Sequence, residues 1–319
     1  MALTNWSISE ETLISISHYY APFYLFNMTL ANIVNLLIIV ATIRSKKLRS
    51  MCNILIALQA AADAMVTWEV PIYVYHVYMR KFISVEQCFM VQVVPWLAMN
   101  FTTCFILVLG LDRYLCVKYA TWYMTLNKVK YFSLLMLICT FYSIVASIGM
   151  YMSTSEQKVL CFLADAMAGR GKEMWGLSQA LINVAVIIVY GKLKKFLECR
   201  STRSVDDRDT RKIFKSLYLI VVFYIFGWVT SVFLLLAVRV LIADPLLEQA
   251  AGQFLGVFAA TNLTIPFFVY FTQSVVYKRE ILRLFLSERR IAQIAPDSQT
   301  FGSSGSTARA HQNEESVVA

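Results

Sequence analysis

Residues 88–117 read CFMVQVVPWLAMNFTTCFILVLGLDRYLCV. The run is apolar almost throughout, opens on Cys88 and closes on the charged pair Asp112-Arg113 followed by Tyr114. Cys88 precedes Arg113 by 25 residues. As α-helix that spacing is roughly 37 Å, about one bilayer with part of its headgroup layer. An acid–arginine pair is costly at the end of such a run. One helix is therefore expected to carry an oxidised anchor at one end and a charge switch at the other.

Working outward from this run, the chain shows seven apolar stretches: Tyr20–Ile43, Ile54–Tyr78, Cys88–Val117, Tyr131–Met152, Met174–Tyr190, Ile213–Ile242 and Leu247–Tyr270. Most reach the about 20 residues that a helix needs to cross hydrocarbon. The fifth is cut short by Lys192, Lys194 and Lys195. Hydrophobic residues make up 58% of the chain and charged residues 15%, against about 25% charged in soluble domains. A soluble helical protein would have to hide seven such runs within 319 residues, with too few polar faces to cover them. The expected fold class is an all-α membrane protein, a seven-transmembrane helix bundle.

Basic residues set the expected orientation. With the N-terminus outside, only Arg80, Lys81, Lys158, Arg170, Lys172 and Arg239 fall on the outer side, and the other 23 of the 29 Lys and Arg fall inside. The first inner loop alone holds Arg44, Lys46, Lys47 and Arg49. This is the positive-inside pattern. It accounts for the net charge of +9 through topology and anionic inner-leaflet lipid, so no nucleic-acid partner is needed.

The first 19 residues are mixed and polar, with Glu10 and Glu11, and no basic start precedes an apolar core. The first membrane helix is expected to act as an uncleaved signal. Asn5-Trp6-Ser7 fits the glycosylation acceptor pattern outside, whereas the triplets at Asn27, Asn100 and Asn262 lie within apolar runs and read as chance matches. Seven cysteines show no metal-ligand spacing. In this topology only Cys88 and Cys161 face the oxidising side. A disulfide between them would span 73 residues of sequence; the alternative is two unpaired thiols.

From Tyr20 to Leu286 the chain resembles a rhodopsin-like G-protein-coupled receptor. Asn35, Asp63 (within Leu58-Gln-Ala-Ala-Ala-Asp63), Cys88, Asp112-Arg113-Tyr114, Trp228 and Pro266 fall in that family's order, and Tyr224 precedes Trp228 by one helical turn. There are departures. The sixth helix reads Gly227-Trp228-Val229-Thr230, without the usual proline; Ile265-Pro266 stands for Asn-Pro; Tyr270 lies four residues after Pro266 instead of three. The fourth helix has no tryptophan and the fifth no proline. This looser pattern, with Tyr277-Lys278-Arg279-Glu280 after Pro-Phe-Phe-Val-Tyr-Phe, is similar to the nematode serpentine chemoreceptors of class SX.

The resemblance implies a receptor at the plasma membrane, in such families often in sensory cilia. It implies that the protein binds an external small molecule and activates a heterotrimeric G protein, with receptor kinase and arrestin as further partners and no cofactor or metal. At the cytoplasmic membrane edge, Asp112 and Arg113 are expected to bond to each other at rest, with Arg113 released toward the G protein's C-terminal helix on activation; the plain alternative is a snorkelling arginine. The sixth helix opens with Arg211, Lys212 and Lys215, and no acid there is apparent to lock Arg113. Asp63 is expected to bond Asn35 and approach Asn262 or Thr102 as an intramembrane hub near Pro266, serving as either a sodium site or a hydrogen-bond centre. Ile265 in place of asparagine favours the second.

Glu69 is a further intramembrane charge, six residues beyond Asp63 and just before Pro71; it either faces a ligand pocket or snorkels to the outer interface or bonds other helices. Trp68, Glu69, Trp96, Met99, Tyr224 and Trp228 are the candidate ligand pocket, although aromatic stripes also serve as core packing. Amine receptors carry an aspartate in the upper third helix where this chain has Pro95, which argues against a standard aminergic receptor and for a mainly apolar cavity.

The expected organisation is an extracellular N-terminus at 1–19, the receptor domain at 20–275, a short amphipathic eighth helix at 276–286 on the inner membrane surface, and a disordered cytoplasmic tail at 287–319. The eighth helix would present Tyr277, Ile281, Leu284 and Phe285 on one face and Lys278, Arg279 and Arg283 on the other. The tail is rich in Ser, Thr, Gly and Ala, which cannot build a core. An enzyme is not expected, because His18, His76 and His311 cannot easily converge. A receptor for a neuropeptide or other non-amine ligand is the runner-up, and a transporter, which would show internal repeats, is further behind.

Overall fold

The computed structural model describes residues 7–201, 218–242, 244–287 and 290, with the side chains of 197–201 left aside. Asn5, Arg211, Lys212, Lys215, His311 and nearly all of the tail lie outside the described residues. Among the described residues, seven helices are long and apolar enough to cross a membrane: α1 (Glu10–Arg44), α2 (Met51–Tyr78), α3 (Val93–Lys118), α4 (Lys128–Tyr151), α5 (Gly169–Phe196), α6 (Tyr218–Leu241) and α7 (Pro245–Gln273). A short helix, α8 (Val275–Leu282), follows. The only strands among the described residues are β1 (Ile83–Ser84) and β2 (Lys158–Val159), an antiparallel pair matching Ile83 with Val159.

The helix starts are written locally. Ser9 accepts from Thr12 N, Ser50 from Asn53 N, and Asn127 from both Val129 N and Lys130 N. Asp244 accepts from Leu246 N at 2.7 Å with Pro245 as the first helical residue. These oxygens satisfy N–H groups that have no partner within the helix. The third helix is the axis of the bundle: 67% of its apolar window is buried, against 44% or less in the others. It packs on α2, α4 and α5, while α1 packs on α2 and α7. The fourth helix lies outermost, and its exposed Leu137, Phe141 and Ile148 form a face suited to lipid.

Three features differ from the hydropathy reading. The first helix starts at Glu10, ten residues before the apolar stretch at Tyr20. Leu13 and Ile14 are buried there against Leu160 and Ala250, and Ser17 Oγ donates to Gln253 Oε1 at 2.9 Å. These turns pack on protein rather than lipid, so they need little hydrophobicity. Second, Cys88 and Arg113 do not share one helix. Cys88 sits on a separate helix, Val85–Val91, and α3 begins after Gln92. Pro95 has no N–H to offer the carbonyl of Val91, which favours a break at this point. Third, the eighth helix buries Tyr277 and Ile281 of its apolar face in the protein. The two pack with Ile38, Ala41 and Leu48, leaving Val275, Val276 and Phe285 exposed.

Candidate functional site

One end of the bundle is closed by the α4–α5 connection. Cys88 and Cys161 form a disulfide with Cα atoms 5.3 Å apart, and the β1–β2 pair holds the same segment on its other side. Gln92, fully buried, donates through Nε2 to Cys161 O at 3.1 Å and to Glu69 O at 3.4 Å. From this anchor the chain dips inward. The Phe162 ring lies 5.0 Å from Tyr24 and 5.2 Å from Tyr73. A helical turn, Leu163–Ala166, follows.

Asp165 is buried in that turn and accepts from Phe162 N at 3.1 Å. Burial pushes its carboxyl up to about 7, against the opposing pull of Lys172. Lys172 is ion-paired with Glu248. Arg239 reaches Glu248 at 3.5 Å and Glu173 at 3.6 Å. This cluster ties α5, α6 and α7 together around the lid.

Beneath the lid lies a cavity of ≈ 160 Å³ that runs from Phe162, Leu163 and Met167 down to Tyr190 and Tyr270. Of the six candidate pocket residues, Glu69, Met99, Tyr224 and Trp228 line it. Trp68 and Trp96 require correction. The second helix is interrupted at Thr67–Trp68, where Thr67 Oγ1 donates to Ala64 O and accepts from Asn32 Nδ2. That turn carries Trp68 outward, 65% exposed. Trp96 is fully buried but packs between helices, 5.4 Å from Trp175 and 6.2 Å from Phe89. In both cases tertiary geometry overrides what helical spacing suggests.

The four hub residues Asn35, Asp63, Asn262 and Pro266 all reach the wall of the same cavity. They are not joined by direct hydrogen bonds. Asp63 Oδ1 accepts from Gln59 Nε2 at 3.0 Å, Asn35 Nδ2 donates to Leu263 O at 3.0 Å, and Asn262 Nδ2 donates to Phe258 O. Thr102 donates to Met99 O within its own helix. Asn35 meets the point where α7 is interrupted between Thr261 and Ile265, and so satisfies a carbonyl the break leaves without its helical donor.

The sixth helix has no proline near Trp228, but a π-helical turn, Ile225–Val229, stands there. Such turns insert an extra residue and often mark functional positions. Gly227, inside it, lies so close to α7 that a Cβ would collide with Asn262 and lie 2.8 Å from Phe258 O. Tyr224 OH donates to Asn183 Oδ1 at 2.8 Å, which ties α6 to α5.

One polar network escaped the sequence reading. Asn100 Oδ1 accepts from Trp175 Nε1 at 2.9 Å and Gln179 Nε2 at 3.2 Å, and Gln179 also donates to Tyr142 OH. These bonds join α3, α4 and α5. The signal was present as Asn100 within an apolar run, where a polar side chain needs a partner.

At the opposite end, Asp112 is fully buried and Arg113 is 8% exposed. Arg113 Nη2 stands 3.6 Å from Asp112 Oδ2. Tyr123, on the short helix Ala120–Thr125, donates to Asp112 Oδ1 at 2.7 Å. The sequence reading placed the pair at the cytoplasmic membrane edge but did not find Tyr123. Tyr114 is half-buried, with Lys118 Nζ 5.2 Å from its ring.

No curated protein matches the chain. A family model does match, over residues 28–285, and its description is serpentine type 7TM GPCR chemoreceptor Srsx. The matched segment takes in the lid, the cavity and the Asp112-Arg113 pair. A seven-helix bundle with these features, matched over most of its length, belongs to the Srsx family of serpentine G-protein-coupled chemoreceptors, a receptor family and not an enzyme family.

Proposed function

We propose that this receptor binds an external small molecule in the lidded cavity and activates a heterotrimeric G protein through Asp112-Arg113-Tyr114. The carrying observation is the cavity itself. It reaches from the disulfide-anchored lid, past Trp228 and the π-helical turn of α6, to Tyr270. Tyr190, which lines the same end of the cavity, donates to Ile106 O on α3, the helix that carries Arg113. A ligand that repacks Trp228 therefore has a contiguous route to Arg113, provided it binds the two states of α6 unequally. The enclosing lid favours a small molecule over a neuropeptide.

On this reading the lid end faces outside and the Asp112 end faces the cytoplasm, in keeping with the positive-inside distribution. Asn5 would be a glycosylation site in the extracellular N-terminus. The exposed Val275, Val276 and Phe285 of the α8 region would meet the inner membrane surface. The Ser- and Thr-rich tail would serve receptor kinase and arrestin. The test is nucleotide exchange on purified G proteins by the receptor in lipid nanodiscs, with candidate chemicals added. Ligand-stimulated exchange that Arg113→Ala abolishes supports the proposal. Ligand-dependent solute flux without any G protein would overturn it in favour of a transporter.

A further inference from the structure

Glu69 is 4% exposed, lines the cavity, and its Oε2 has no hydrogen-bond partner among the described residues. Asp63 is the second acid on the cavity wall, and among the described residues no lysine, arginine or histidine lines the cavity. The nearby basic residues of the lid are engaged elsewhere, Lys172 with Glu248 and Arg239 with Glu248 and Glu173. The carboxylate is also held in place from both sides in the chain. The α2 turn at Thr67–Trp68 sets where it emerges, and Gln92 ties its backbone carbonyl to the disulfide loop. A buried carboxylate with an open oxygen and no cation is unfavourable until a donor, best a charged one, arrives. Phe162, Trp175 and Trp228 add aromatic wall to the same space. Such faces suit a cation or its apolar body.

We propose that the cavity takes a small ammonium ligand with an apolar body, its charged head paired with Glu69 on α2. This is not the third-helix arrangement of amine receptors, whose position is filled here by Pro95. The inference rests on the reading of the cavity as the ligand site, but not on G-protein coupling.

The experiment therefore measures binding alone. Purified full-length receptor in nanodiscs is titrated with hexylamine against hexanol and hexanoic acid, and with phenethylamine against phenethyl alcohol and phenylacetic acid. Affinity is read from the concentration-dependent rise in melting temperature. At least one amine is expected to bind about tenfold or more tighter than its alcohol and acid, since charge-assisted bonds are roughly twice as strong as neutral ones. Glu69→Gln should remove that advantage while alcohol binding persists. Amines that bind no better than their alcohols in the parent protein overturn the proposal, and this comparison needs no variant to fold. An amine advantage that survives Glu69→Gln overturns it as well. A Glu69-dependent amine advantage in a receptor that drives no nucleotide exchange would uphold this inference and sink the coupling proposal instead.

Discussion

Tyr123 donates to Asp112 at 2.7 Å, so the acid of the Asp-Arg pair is held from the α3–α4 connection. Tyr123→Phe removes that donor and keeps the ring. The loss is expected to lower stability by about 1 kcal/mol and to raise ligand-independent nucleotide exchange, because Asp112 is then freer to leave Arg113. Basal exchange equal to the parent's would show that Tyr123 is packing only.

Arg113→Ala should abolish stimulated exchange while ligand-induced thermal stabilisation persists, since the cavity lining does not include Arg113. Because Asp112 is fully buried, removing its cation is also expected to lower stability, by about 3 kcal/mol. By linkage, any gain in ligand affinity that the G protein confers should vanish. A mutant that couples as well as the parent would exclude Arg113 as the switch.

Reduction of the Cys88–Cys161 bond, or Cys88→Ser or Cys161→Ser, should cost roughly 2–5 kcal/mol and loosen the lid that Phe162 forms. The double variant should resemble either single one in melting temperature and surface delivery. Alkylation of both thiols in mature surface protein would contradict this.

The lid should be pH-sensitive through Asp165. Its folded-state pKa of about 7 exceeds the ordinary carboxyl value of 3.8, so between those values the folded chain keeps a proton that the unfolded chain has released. The stability from this group is complete below 3.8 and is lost as pH rises toward about 7. Melting temperature should rise as pH falls from about 8 to about 5, and Asp165→Asn, which still accepts from Phe162 N, should flatten that rise. An identical pH profile for parent and variant would remove Asp165 from the account.

Gly227→Ala should separate α6 from α7, because its new methyl meets Asn262 and Phe258 O. A destabilisation of about 1–3 kcal/mol is expected, as for other overpacked sites. A variant with unchanged melting temperature would mean that Asn262 can turn aside.

The pocket was only partly legible in the chain. Glu69 stood out as a carboxylate at membrane depth, Met99 by its place on the third helix, and Tyr224 and Trp228 by their match to the family's aromatic pair; all four line the cavity. Trp68 and Trp96 look no different in sequence. What separates them from the lining residues is the phase of α2 after the Thr67–Trp68 turn and the packing of Trp96 on Trp175. Neither is a property of local sequence. Tyr123 and Asn100 show the converse, ordinary residues whose roles come from partners 11 and 75 residues away.

The chain's own pattern determined the number and approximate place of the seven spans. Hydrocarbon leaves a backbone little choice but continuous helix of sufficient length, and that demand is written residue by residue in apolarity. The ends, the breaks and the site were decided in three dimensions. Glu10–Tyr19 is helical because it packs on Leu160 and Ala250. Gln92 divides the run from Cys88 to Arg113 where its side chain bonds carbonyls from two other segments. Asn35 meets a broken turn of α7 instead of Asp63. Each of these depends on which groups are left without a partner once the helices are packed, and that is known only when the whole bundle is in place.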